Sequence, residues 1–182
     1  MYDIRKLQEQ VLYQAVQNHC DAQTAHDIVC GPDGSAARQD NAQWVKSAMG
    51  RLENTFDGQQ VKQIRMDCQC GYGMEEKPAL VRDLMDGASS LEEFAHSDRA
   101  RAAGLFCDDG ILYLRLPFCP CPILAGVDRL ETSTWCQCTT GYSKVLFEKA
   151  FGCDVEVELL KSIKMGDAVC LMKILPLAPV WK

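Results

Sequence analysis

The sequence has no long apolar run, no cluster of basic residues and no leader-like start, and each absence removes a class of function. Its apolar stretches fall far short of membrane-spanning length. The opening Met1-Tyr2-Asp3-Ile4-Arg5-Lys6 is charged rather than signal-like, so a soluble, cytoplasmic chain without membrane partners is expected. Net charge is −6 and the 19 Lys and Arg are scattered, which leaves no patch to follow a phosphate backbone and makes nucleic acid an unexpected partner. Repeats and low-complexity segments are absent. Gly71-Tyr72-Gly73 lacks the third glycine and the strand–helix setting of a dinucleotide fingerprint. Histidine is scarce too: His19, His26 and His96 have no second ligand at paired spacing and read as surface or core residues.

What the chain has instead is cysteine, 11 in 182 residues. An odd count cannot close entirely into internal disulfides, and clusters in a chain without a secretory start point to metal ligands or reactive thiols. Three pairs share a Cys-x-Cys pattern: Cys68-Gln69-Cys70, Cys119-Pro120-Cys121 and Cys136-Gln137-Cys138. Structural zinc takes four thiolate or imidazole ligands, so these six thiols suffice in number to staple separate segments together. An iron–sulfur cluster would draw on the same thiolates. The plain alternative is that they are small buried apolar residues. Cys20, Cys30, Cys107 and Cys153 stand alone and read as core fillers.

Hydrophobic spacing predicts helices first and strands later. Ile4, Leu7, Val11, Leu12 and Ala15 form a helical stripe, which restarts at residues 21–29 before Gly31-Pro32-Asp33-Gly34. A second helix is expected over about 36–56 with Gly58 as its stop, and residues 61–66 lead into a loop at 68–73. Pro78 opens a helix, and Ser90-Leu91-Glu92-Glu93 is a capping-box pattern for a short one. From Leu105 the period becomes two, with Asp109-Gly110 as a hairpin turn. Thr140 is the expected N-cap of a helix carrying Tyr142, Val145, Leu146, Ala150 and Phe151 on one face, with Gly152 at its end. Val155, Val157 and Leu159 then alternate with Glu156 and Glu158, Gly166-Asp167 turns the chain, and residues 168–175 return. The expected architecture is α+β: N-terminal helices packed on a mostly antiparallel sheet of about four strands with one inserted helix. Residues 1–182 read as a single domain, helical over 1–103 and sheet-forming over 104–182.

The order Cys136-Gln137-Cys138-Thr139-Thr140-Gly141-Tyr142, Phe151-Gly152, Val155-Glu156-Val157-Glu158, Gly166-Asp167-Ala168-Val169-Cys170 resembles the 4-vinyl reductase domain. That domain is a small-molecule-binding α+β module with relatives among bacterial aminothiazoline-carboxylate hydrolase-like proteins. The resemblance covers residues 104–176. It implies a zinc site in which Cys136 or Cys138 is the first ligand and Cys170 the last. The family's middle cysteine falls at Ser162, and its glutamate falls near Leu159, beside Glu158.

Two functions follow as expectations. The first is a small-molecule-binding protein with a cysteine-ligated metal, zinc before iron–sulfur, drawn from Cys68, Cys70, Cys119, Cys121, Cys136, Cys138 and Cys170. Its small apolar or aromatic ligand would sit between the helices and the sheet, near Trp135 and Tyr142, with Tyr113, Arg115 and Thr139 as polar anchors. The alternative is a cysteine-dependent hydrolase of a small heterocyclic or amide substrate, whose thiolate at Cys136 or Cys138 is favoured by a helix N-terminus. A homodimer is compatible with either.

Overall fold

Short polar caps divide the N-terminal half into more helices than the apolar spacing alone predicts. The computed structural model describes residues 3–71 and 73–181, so Tyr72 of the cysteine loop lies outside the described residues. Helix α1 (Ile4–Gln17) starts where the Asp3 carboxylate accepts from the Lys6 amide, and α2 (Ala22–Cys30) starts where Asp21 does the same for Thr24. The single helix expected over 36–56 is broken. A 3-10 turn (Ser35–Arg38) precedes α3 (Asn41–Thr55), because Asp40 and Gln43 cap each other's backbone N–H at 2.8 and 3.1 Å. Gly58 does not stop a helix but begins α4 (Gly58–Asp67), capped in the same reciprocal way by Asp57 and Gln60. The lead-in over 61–66 is therefore helical.

Helices α5 (Lys77–Met85), α6 (Leu91–His96) and α7 (Asp98–Ala102) follow, with Pro78 in the first turn of α5 and Ser90 capping α6 through the Glu93 amide. Strands β1 (Leu105–Asp108) and β2 (Ile111–Leu116) form the expected hairpin. Asp109 and Gly110 both take positive φ, 48° and 73°, as a two-residue hairpin turn requires. Helix α8 (Gln137–Phe151) is inserted before β3 (Val155–Lys161) and β4 (Cys170–Pro176). The sheet is antiparallel throughout in the order β1-β2-β4-β3. The fold is α+β.

Two apolar cores result. One gathers Leu12, Trp44, Leu52 and Ile64 of the N-terminal helices with Ile123, Leu124 and Trp135; the other packs Leu112, Met172 and Ile174 of the sheet against Phe94, Phe147 and Phe151. Helix α8 belongs to both, its first turn to the former and its second half to the latter. It passes so close to α4 that a Cβ on Gly141 would lie 1.9 Å from the Met66 carbonyl oxygen. No helix of the described residues is long and apolar enough to cross a membrane.

Candidate functional site

The first turn of α8 begins three residues before the expected cap, at Gln137, and this places Cys138 in that turn, where the amides of residues 136–139 donate to the carbonyls of residues 133–136. Thr140 is instead wholly buried, and its Oγ1 has no hydrogen-bond partner among the described residues. The turn is fixed from behind by Trp135. Its ring meets Trp44 edge-on at 5.4 Å, and the Arg65 guanidinium lies 4.2 Å from its centroid on α4. Arg65 Nη2 also donates to the Trp135 carbonyl at 3.0 Å. Thr132 and Thr134 hydroxyls donate to the Glu53 carboxylate, tying the preceding strap to α3.

Cys121 comes from the other side. Pro120 and Pro122 hold it extended (φ −85°, ψ 110°), and Ile123 and Leu124 just beyond are sunk in the first core. Trp135 Nε1–H donates to its sulfur at 3.4 Å. A hydrogen-bonding interaction between the Cys121 and Cys138 thiols shifts the two in opposite directions. Cys138 is the member driven toward thiolate, first by that bond, with the Arg65 charge and the Thr139 N–H and hydroxyl adding to it. Cys121 is correspondingly held protonated.

Arg65 itself is wholly buried, and among the described residues no carboxylate pairs with it. Its Nε and Nη1 have no hydrogen-bond partner there. A buried cation is costly without a countercharge, and the Arg65 charge in turn favours the ionised form of Cys138.

Both thiols open onto a cavity of about 440 Å³ with mainly apolar described walls: Ile4 and Gln8 of α1, Cys70, Pro120, Pro122 and, from α8, Thr139 and Tyr142. Gln8 is 2% exposed and its Oε1 is unpartnered. Lys77 lies 5.1 Å from the Tyr142 ring centroid, at the same wall. Neither histidine nor carboxylate lines these walls.

The structure thus brings together some of the predicted site residues and separates others. Cys70, Cys121, Cys138, Thr139 and Tyr142 share the cavity. It lies among α1, the 119–122 segment and α8, not between helices and sheet. Trp135 is core behind it. Tyr113 and Arg115 are elsewhere, on the outward face of the sheet, where Tyr113 stacks on Phe106 at 5.1 Å and Arg115 reaches over the Phe106 ring. Cys68 is wholly buried at the end of α4, its thiol donating to the Ile64 carbonyl at 3.1 Å and pushed up to about 11 by burial. Cys136 faces away from the cavity, 3.3 Å from the Ser162 hydroxyl, and burial pushes it also to about 11, with Cys138, Cys119 and Cys170 near enough to raise it further. Cys170 is buried at the start of β4, and Glu158 is exposed.

Zinc bound by protein thiolates needs four donors about 2.3 Å from the ion. Among the described residues no group of three or more His, Cys, Asp or Glu is placed to hold a metal ion. The thiols stand as one close pair, one thiol–hydroxyl contact and outlying members, an arrangement that does not fit a preformed zinc or iron–sulfur site.

Arg65 and Gln8 are the members of the site that sequence patterning does not single out. Both nonetheless carry a legible signal: Arg65 lies on the apolar stripe Val61, Ile64, Cys68, and Gln8 lies between Ile4 and Leu12, polar residues where the helical period demands apolar ones.

The family described as "Family of unknown function (DUF6144)" matches residues 1–181, and the chain belongs to it. No curated protein matches the sequence.

Proposed function

We propose that the chain is a small-molecule-binding protein whose cavity takes a largely apolar ligand and presents it to the Cys121–Cys138 thiol pair. One observation carries this reading: a cavity of about 440 Å³ with mainly apolar walls, into which two hydrogen-bonded thiols open. That size lies within the range of small-ligand sites, which combine apolar walls with a few polar groups. Gln8, Lys77, Thr139 and Tyr142 are the polar groups here besides the cysteines. The reading departs from its sequence-based form in placing the ligand against the helices and in giving no part to Tyr113 and Arg115.

The hydrolase alternative has less support, because a thiolate that forms an acyl intermediate needs a neighbouring acid and base. The described walls offer neither histidine nor carboxylate.

A thermal-shift screen of aromatic and heterocyclic compounds tests the proposal. A ligand at a hundredfold its dissociation constant should add about 2.7 kcal/mol of stability. Ile4→Trp, which fills the cavity from α1, should abolish the shift while leaving circular dichroism unchanged. Shifts that survive Ile4→Trp would place the ligand elsewhere.

A further inference from the structure

Two cysteine thiols that open onto one mainly apolar cavity, with neither histidine nor carboxylate on its described walls, suit a narrow set of reactions. Acyl transfer requires proton delivery to the leaving group. Thiol–disulfide exchange requires only a thiolate, a leaving thiolate and a second thiol to resolve the mixed disulfide. We propose that Cys138 and Cys121 are the nucleophilic and resolving thiols of an exchange site acting on a small, largely apolar disulfide held in the cavity. This rests on the ligand-binding reading above and gives it a substrate class.

Each residue has the surroundings its role needs. Cys138 lies in the first turn of a 15-residue helix, at the end of the helix dipole that favours a negative sulfur. Thr139 donates to it, and Arg65 balances its charge inside the protein. Cys121 is held at the same cavity as Cys138 by two flanking prolines and by Trp135 Nε1–H at 3.4 Å. The mainly apolar walls suit a largely apolar disulfide.

The step balances. Cys138 Sγ attacks one substrate sulfur; a Cys138–substrate disulfide forms, the substrate S–S bond breaks, and one half leaves as thiolate. That thiolate takes the Cys121 proton. Cys121 Sγ then attacks Cys138 Sγ, closing the Cys121–Cys138 disulfide and releasing the second half as thiolate. The protein loses two electrons, and the substrate gains them as one thiol and one thiolate.

The test uses anaerobically reduced full-length protein and one equivalent of dithiodipyridine, a small aromatic disulfide whose released thione absorbs in the near ultraviolet. A fast phase should release two thiones per chain, and peptide mapping should find a disulfide joining Cys121 and Cys138. Cys121→Ser should stop after one thione, with the reagent trapped on Cys138. Cys138→Ser should lose the fast phase, and Cys153→Ser should keep it. A fast phase that survives Cys138→Ser, or a mapped disulfide joining other cysteines, Cys70 included, overturns the proposal.

Dipyridylethane, in which carbon replaces both sulfurs, separates the two readings in a thermal-shift measurement. If it binds and exchange fails, the exchange site is refuted and the binding reading stands. If it does not bind and exchange also fails, both fall.

Discussion

Arg65 holds Trp135 twice: Nη2 donates to its carbonyl at 3.0 Å, and the guanidinium lies 4.2 Å from its ring centroid. Through this contact α4 fixes the approach to α8, and so fixes both thiols. Trp135 in turn bonds Cys121, and Arg65 faces Cys138. Positioning and electrostatics therefore share one side chain.

Arg65→Met, similar in length but uncharged, separates those roles. Removing the cation raises the Cys138 thiol from about 6, so its iodoacetamide alkylation at neutral pH should slow, by about twofold for a rise of one pKa unit. Mass mapping of alkylated Cys138 over time measures this. Alkylation as fast as in the parent protein would show that Arg65 does not sustain the thiolate. Arg65→Ala should also lower stability by about 3 kcal/mol, since it opens a cavity under Trp135 and orphans its carbonyl.

Two glycines make opposite predictions. A Cβ on Gly141 would meet the Met66 carbonyl oxygen at 1.9 Å, and the obstacle is backbone that cannot swing away. Gly141→Ala should cost about 3 kcal/mol or more by forcing α4 and α8 apart. Gly50 lies inside α3, and a methyl group there would meet nothing within 4 Å. Gly50→Ala should stabilise the protein by about 1 kcal/mol through helix propensity alone. Denaturant midpoints of the two variants give the comparison; a neutral Gly141→Ala would contradict the close crossing.

Gln8→Leu tests the polar wall of the cavity. Its Oε1 is buried and unpartnered, a cost of about 1–3 kcal/mol for a lost acceptor. Leucine should therefore raise the stability of the ligand-free protein while weakening ligands that carry a hydrogen-bond donor. Chemical denaturation of the free protein and thermal shifts with donor and non-donor ligands report the two effects separately. A loss of stability would mean that the Gln8 amide makes a compensating bond.

The strands and their turns were legible because local signals agreed with tertiary placement: Asp109-Gly110 supplies the positive φ pair, and alternation from Leu105 to Leu116 matches a sheet with one covered face. Helix boundaries were less so. Asp40 and Asp57 start helices through bonds to amides three residues on, and an apolar stripe that continues past such a cap hides the break. Of the site, Thr139, Tyr142 and the cavity-facing members of the cysteine pairs could be named from sequence. Which cysteines face each other could not, because Cys121 and Cys138 meet only through the packing of the 119–122 segment against α1, α3 and α8. Tyr113 and Arg115 look like anchors in one dimension, yet strand alternation turns them to the opposite face from Leu112 and Leu114.

The buried thiols Cys68 and Cys136 make stability fall at alkaline pH. Cys68 and Cys136 are both pushed by burial from 9.0 to about 11, Cys136 against the opposing Ser162 hydrogen bond. In the unfolded chain they ionise near 9.0, whereas in the folded chain they keep their protons to about 11. Between those values the folded state binds more protons, so stability falls as pH rises, by at most about 1.4 kcal/mol per pH unit for each thiol. Their contribution is complete below pH 9.0 and lost as pH passes about 11. Urea midpoints of anaerobic protein from pH 8 to 11 should show this decline, and Cys136→Ser should make it shallower by removing one of the contributing titrations. A decline of the same slope in Cys136→Ser would mean that Cys136 is not protected in the folded state.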